Sequence, residues 1–573
     1  MLQLLVLALL AQCQAQRIAI LGGGRSAEDI TSTFVAKYLM DFLPSNCSSF
    51  QSLLLFDQNF HDNENGSKNR NMKSHPAYRD SFLFAGGDSA IFSSKLDPLV
   101  TEMIRNSNLN NLTTIKATLD DTNASIVFHD GNGAVALETT MPNLLSAFYW
   151  RYNVDYYVVS RLASKVKGKL EEAHRILEQE SWELVQSPAH IWNHAGMGGL
   201  TRMSFDLILE KYRVTEVLPL WRQYLPWISQ GSFRREALSS ILLRQYHQDV
   251  SQVNGLAGLI GFLSAMEDDN HKYVVKGGIE EVTRSAWEQT LQSYQTKCPD
   301  RSSVAHSVSL QPLQVVTVVG SVSGFELYNA DGRSMGEFDQ VILTQPLSSC
   351  GIDFLIKSHV DETAVLQPMP LGGLIENSED VALLDHDGHD PLPRRLPGVA
   401  TRPYTRIVTT VVEDATLQLD YWLPGKSINS ASPDWTPPQQ IFMTSSGRTN
   451  EFNVTNIARI NQNVYKITSS QPLSIEILRR FFGYTVKVLE ETSSDIAPDY
   501  QGDGIATPFL LYDGSTGFQG HTKAGALYYP RAMELTVSNI EMKAIGAKAV
   551  AKLIANRLVW IETTKSSYGG DEL

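Results

Sequence analysis

The chain opens on an apolar run, Met1 to Ala11, interrupted only by Gln3. The run is too short to span a bilayer. Its length suits the core of a signal peptide, with Ala15 as a small residue at the cleavage point and Cys13 two positions before it. Arg17–Leu21 then reads as a short strand. The spacing of Ile30, Phe34, Val35, Tyr38, Leu39 and Phe42 predicts a helix over Ser26–Leu43, ended by Pro44. Leu53–Phe56 is a second apolar run, closed by Asp57. Strand, helix and strand in this order form the β-α-β unit of an open parallel sheet.

Further along, the Asn-rich stretch Asn59–Arg79 reads as a loop and Lys165–Gln295 as mainly helical, with Trp182, Trp192, Trp221, Tyr224 and Trp227 among its apolar positions. Strands are predicted at Val315–Val319, Gly324–Tyr328, Phe338–Leu343 and Thr405–Val412, and an inserted Pro- and Asp-rich loop at Leu366–Pro403. Ile540, Ala544, Ala547, Val550, Ala551 and Ile554 mark one face of a closing helix, Ser538–Arg557. The fold class expected is α/β: a Rossmann-like dinucleotide-binding domain and a second, substrate domain of mixed sheet and helices. The expected organisation is a leader over residues 1–15, a cofactor domain assembled from 16–160, 301–350 and 496–573, a helical substrate region over 161–300, and a substrate domain over 351–495.

The first turn carries the chemistry. Gly22-x-Gly24-x-x-Ala27 follows a strand and opens a helix, the context that a dinucleotide fingerprint requires. Gly22 allows the tight turn, Gly24 leaves room for the pyrophosphate, and Ala27 lets the helix lie close to the sheet. Asp57, about 33 residues after Gly24, stands where a carboxylate would bind ribose hydroxyls. The place of this unit at the chain start, with a helix at the chain end, points to FAD rather than NAD. Ser538 and Glu541 have the spacing of a capping box, Ser538 as cap and Glu541 reaching back. Capping alone and contact with the cofactor both stay open for them.

Composition narrows the classes. Of 573 residues 43% are hydrophobic and 19% charged, and the net charge is −14, which argues against binding a phosphate backbone. Sequons at Asn46, Asn65, Asn111, Asn123 and Asn453 suit a glycoprotein of the secretory pathway. The last residues, Gly570–Leu573, resemble a retrieval signal with Gly in its first position. A lysosome or vacuole is the expected compartment, with the ER lumen and secretion open. With Cys13 removed, Cys47, Cys298 and Cys350 remain; Cys298–Cys350 is the simplest pairing, and connectivity stays open. No Cys-x-x-Cys occurs and no metal site is expected. Val322 at the centre of Gly320–Gly324 excludes a serine nucleophile elbow. His190 and His194 read as ordinary hydrogen-bonded histidines, and no catalytic acid or base stands out.

Several segments, in order, resemble the prenylcysteine oxidase (prenylcysteine lyase) family: Arg17–Gly24, Phe84–Ala90 with Gly86 and Gly87, Asn254–Gly258, Val275–Ile279, Phe338–Leu347, Ile407–Thr410, Leu527–Tyr529, Met533–Glu534 and Ser538–Ile545. The family's Gly-Gly-Arg after the second strand is replaced by Gly66–Arg70, and Ala27 stands for its third glycine. The resemblance implies FAD held by Gly22, Gly24, Ala27, Asp57, Gly86, Gly87, Glu534, Ser538 and Glu541. It also implies oxidation of a prenylcysteine by molecular oxygen to cysteine, an isoprenoid aldehyde and hydrogen peroxide. The expected partners are this small molecule and oxygen, with no nucleic acid and no transmembrane anchor; peripheral membrane association is open. The alternatives are a flavin amine oxidase of the same architecture and a non-catalytic prenyl-binding protein.

Overall fold

The computed structural model describes residues 16–22, 30–43, 50–57, 91–93, 95–106, 114–116, 125–129, 135–140, 143–152, 154–179, 185–212, 214, 232–266, 272–275, 279–298, 308–321, 324–360, 363–369, 402–422, 437–444, 453–461, 463–500, 507–513 and 525–568. The first sheet has six strands: β1 (Gln16–Leu21), β2 (Phe50–Phe56), β3 (Val308–Gln311), β4 (Gln340–Leu343), β5 (Leu510–Asp513) and β6 (Ala526–Tyr528). Their order is β5-β6-β4-β1-β2-β3, and every neighbouring pair is parallel except β5–β6. Ile18, Ala19, Ile20 and Leu21 are all buried, as a central parallel strand covered on both faces requires.

Five helices matter below: α1 (Thr31–Phe42), α2 (Pro98–Asn106), α3 (Leu144–Tyr152), α4 (Val154–Glu178) and α5 (Ile540–Tyr568). The sequence predicts one apolar face on α1. The observed helix buries Thr31, Ser32, Thr33 and Ala36 as well, because α5 and the helix Ile279–Lys297 both pack against it. The closing helix ends at Tyr568 rather than Arg557. Among the described residues no helix is long and apolar enough to cross a membrane.

The run expected as one strand, Phe338–Leu343, is split. Ser334–Phe338 pairs with Gly324–Asn329 in a second sheet of five strands, whereas β4 enters the first sheet. Asp339 makes the crossing: its carboxylate accepts from Arg17 N at 2.7 Å, and its own N–H donates to Arg17 O at 2.8 Å. A third sheet orders Lys487–Pro498, Tyr404–Glu413, Val464–Ser469, Val454–Asn461, Gln440–Met443, Ser125–His129 and Val135–Thr140. The hairpin Ser125–Thr140 joins it through a parallel pairing with Gln440–Met443. A separate small core, with Trp422, Tyr465, Phe481 and Phe482, lies under the helix Ile475–Phe482. The strand Lys272–Val275, inside the stretch read as helical, centres a fourth sheet of three strands.

The cysteine expectation needs correction. Cys298 is disulfide-bonded while Cys350 is a buried free thiol in the turn after β4. Cys298 ends the helix Ile279–Lys297, and the Lys297 ammonium is held by the carbonyl oxygens of Met40, Asp41 and Leu43 at 2.8, 2.6 and 2.9 Å. That contact ties this helix end to the end of α1, a few residues before Cys47, which lies outside the described residues. Peptide mapping of secreted protein without reduction is expected to recover Cys47 joined to Cys298, with the Cys350 peptide unlinked. A Cys298–Cys350 peptide would contradict this arrangement.

Candidate functional site

The carboxyl ends of the parallel strands meet along one edge of the first sheet. Gly22 N donates to Phe56 O at 2.9 Å and Asp57 N to Gln311 O at 3.0 Å. Thr344 N and Thr344 Oγ1 both donate to Leu21 O, at 3.0 and 2.9 Å. Gln345 Nε2 donates to Gly22 O at 2.5 Å. A Cβ on Gly22 would stand 3.2 Å from Ser32 Cβ and 3.3 Å from Leu55 Cδ1. Glycine there keeps α1 close to the strand it follows. Asp57 is buried at the carboxyl end of β2.

Beyond β6 the chain makes a 3-10 turn, Pro530–Leu535, before entering α5. Glu534 on this turn is fully buried. Its Oε2 accepts from Arg531 Nε at 2.5 Å and from the Tyr404 hydroxyl at 3.1 Å, and Lys543 Nζ lies 3.5 Å from Oε1. Glu534 Oε1 is buried with no hydrogen-bond donor among the described residues. Arg531 Nη1 reaches Thr344 O at 3.5 Å, and its guanidinium stands 5.2 Å from the centre of the Tyr404 ring. Burial, reinforced by the charge of Glu534, pushes Tyr404 well above the usual phenol range. Burial pushes Tyr529 up to about 12, with Arg531 opposing. Both phenols therefore stay protonated at neutral pH.

Thr536 gathers the middle of the chain to the same turn. Trp192 Nε1 donates to Thr536 Oγ1 at 3.0 Å, and Asn254 Nδ2 donates to Thr536 O at 2.8 Å. Asn254 Oδ1 also accepts from Ala257 N at 2.9 Å and so caps the helix Gly255–Met266. Segments singled out in the sequence thus converge: the described part of Arg17–Gly24, then Asn254–Gly258, Phe338–Leu347, Leu527–Tyr529, Met533–Glu534 and Ser538–Ile545. Sequence reading did not single out Arg531 or Tyr404, and it named Tyr529, Thr344, Gln345 and Trp192 only within longer stretches, without a role at this site. Arg531, three residues before Glu534 on a turn, is the one partner that spacing could have revealed.

The capping box is not formed. Asn539 is the cap of α5, its Oδ1 accepting from Met542 N at 2.8 Å. Ser538 Oγ instead donates to Ile496 O at 2.7 Å, and Ser538 N donates to the Tyr500 hydroxyl at 2.6 Å. Glu541 does not reach back. Its fully buried carboxylate accepts from Leu99 N and Val100 N at 3.0 and 3.2 Å, and His174 Nε2 lies 2.7 Å away. Glu541 therefore satisfies the N-terminus of α2, an acceptor supplied from another helix where α2 itself begins with Pro98. His190 is exposed and bonded to Ser187, and His194 is exposed. Gly24, Ala27, Gly86 and Gly87, and the sequons at Asn46, Asn65, Asn111 and Asn123, lie outside the described residues. Asn453 is exposed at a left-handed position, φ 50°.

These features define the class: a mixed α/β protein with a Rossmann-like parallel sheet whose carboxyl edge is closed by a buried polar turn. The groups at this edge are compatible with FAD: Asp57 is buried at the carboxyl end of β2, where a dinucleotide fold has its ribose-binding acid, Gly22 clears the strand end, and Glu534 Oε1, an acceptor, has Lys543 Nζ 3.5 Å away and no hydrogen-bond donor among the described residues. Over residues 389–567 the chain matches the prenylcysteine lyase family, the family that the sequence segments resemble. No curated protein sequence matches the chain. Similar solved structures include cyclohexylamine oxidase from Brevibacterium oxydans, at 13% identity over 95% of this chain and 100% of that one, TM-score 0.42. Putrescine oxidase bound to putrescine is 14% identical over 95% and 99%, TM-score 0.41. An oxidoreductase from Methanosarcina mazei is 10% identical over 93% and 99%, TM-score 0.43.

Proposed function

We propose that the protein is an FAD-dependent oxidase that cleaves the thioether of a prenylcysteine, with water and molecular oxygen, to cysteine, an isoprenoid aldehyde and hydrogen peroxide. The observation that carries this reading is the buried turn Pro530–Leu535. It lies within the residues that match the prenylcysteine lyase family, and it packs on the carboxyl edge of the dinucleotide-type sheet. When bound, FAD would supply two-electron oxidation of the carbon next to sulfur.

The protein's own residues hold and enclose. Gly22 and Asp57 would hold the adenosine half at the ends of β1 and β2. Arg531 and Tyr404 both bond to Oε2 of Glu534, and Oε1, with Lys543 Nζ 3.5 Å away, would accept a hydrogen bond from the cofactor. Tyr404 and Tyr529, both protonated, add no negative charge to this part of the edge. The sequons, with Asn453 exposed, support a glycoprotein of the secretory pathway, and a lysosome or vacuole suits degradation of prenylated proteins.

The test is the visible spectrum of full-length protein from a eukaryotic secretory host. Flavin bands that bleach without oxygen on addition of farnesylcysteine, and return with peroxide when air is admitted, are expected. Flavin bands untouched by farnesylcysteine would remove the substrate assignment. A protein that stays colourless after incubation with FAD would remove the oxidase reading.

A further inference from the structure

Helix α3 buries Phe148 and Tyr152, and α4 buries an aliphatic face from Val159 to Leu177, while α3 and the first turn of α4 carry apolar residues on the outside. Inward, Phe148, Tyr152 and Tyr156 pack on Phe233, with ring centroids 5.7, 5.1 and 5.9 Å away. Arg151 and the Tyr152 hydroxyl both donate to Glu236 Oε2, which anchors the end of α3. Outward, Leu145, Tyr149, Trp150, Val154 and Tyr157 are 47, 49, 75, 61 and 58% exposed. Isolated exposed apolar residues are ordinary, but here five fall within thirteen positions, with the Tyr149 and Trp150 rings 5.8 Å apart.

The charge beside the patch is basic. Tyr157, Arg161 and Lys165 follow one another at the helical spacing of four, all exposed, so the stripe turns from aromatic to cationic along α4. The rise of an α-helix puts Arg161 about 6 Å and Lys165 about 12 Å beyond Tyr157. Asp155, half-buried, is the acidic residue of the first turn of α4. The chain as a whole carries −14, so this aromatic and basic strip departs in sign from the mean surface.

We infer that this face seats the protein on an anionic lipid surface. Trp and Tyr have an apolar ring with a polar handle and settle at the level of the headgroups. Arg161 and Lys165, further along the stripe, then meet lipid phosphates, where each basic residue contributes on the order of 1 kcal/mol. The surface charge complements anionic lipid and disfavours a second copy of this chain, which would bring like-charged strips together. The inference rests on α3 and α4 alone and holds whatever substrate the active site takes.

Flotation of the full-length glycosylated protein with vesicles of phosphatidylcholine, with or without about 30% phosphatidylserine, tests it. Wild type is expected to float with the anionic vesicles. The Arg161→Gln/Lys165→Gln variant should bind them about thirtyfold more weakly, the equivalent of two lost basic contacts. Trp150→Ala/Tyr157→Ala should bind about tenfold more weakly. Tyr484→Ala, which removes an 89% exposed aromatic on another element, should float as wild type does. Wild type left at the bottom of the gradient would overturn the inference. So would patch variants that float unchanged, or a dimer in sedimentation velocity that Trp150→Ala dissociates.

Discussion

Replacing Glu534 by alanine is expected to cost about 3–5 kcal/mol of folding stability, the usual result of removing one partner of a buried ion pair. Arg531 is almost as buried as Glu534, so its guanidinium would lose a charge-assisted partner with little water to replace it. Glu534→Gln keeps the shape and one acceptor oxygen and should cost clearly less. Urea unfolding of flavin-free protein reads the stability, and flavin retained through gel filtration reads the site. An alanine variant within about 1 kcal/mol of wild type would show that the pair is not what holds the turn. If the glutamine variant folds normally and releases flavin, Oε1 acts toward the cofactor as proposed.

The second large effect is steric. Gly546 lies in α5 where it crosses the Pro530–Leu535 turn. A Cβ there would stand 2.1 Å from Pro530 O and 3.2 Å from Met533 Cβ. A backbone carbonyl cannot rotate away as a side chain can. Gly546→Ala therefore has to displace the turn that carries Arg531 and Glu534, and a loss of about 3 kcal/mol with weakened flavin retention is expected. Gly168→Ala in α4 is the matched control. Nothing lies within 4 Å of its Cβ position, so the change should be neutral or stabilise by up to about 1 kcal/mol. Equal midpoints for the two variants would mean that α5 and the turn move apart freely.

Local pattern was enough for the elements with strong periodicity. The first strand, the helix after it, the second strand and Tyr404–Glu413 all stand where apolar spacing puts them, within a few residues. It was misleading where a residue's partner is distant. Phe338–Leu343 looks like one strand, but Asp339 bonds to Arg17 and hands the chain from one sheet to another. Ser538 and Glu541 have capping-box spacing, yet each bonds to groups brought from elsewhere, Ile496 and Tyr500 for one, Leu99, Val100 and His174 for the other. Cys298 and Cys350 are the closer pair in sequence, but only Cys298 is cross-linked.

The sequence by itself determined that a parallel β-α-β unit begins the fold, that Gly22 and Asp57 stand at its strand ends, and that a long apolar helix closes it. These follow from side-chain period and from the small residues a close helix requires, both of which are local properties. Tertiary structure alone decided that Tyr404, Arg531 and Glu534 form one buried cluster and that Trp192 and Asn254 meet at Thr536. A buried charge or polar hydrogen must find a partner, and which partner it finds depends on which elements the sheets bring together, across separations of more than a hundred residues.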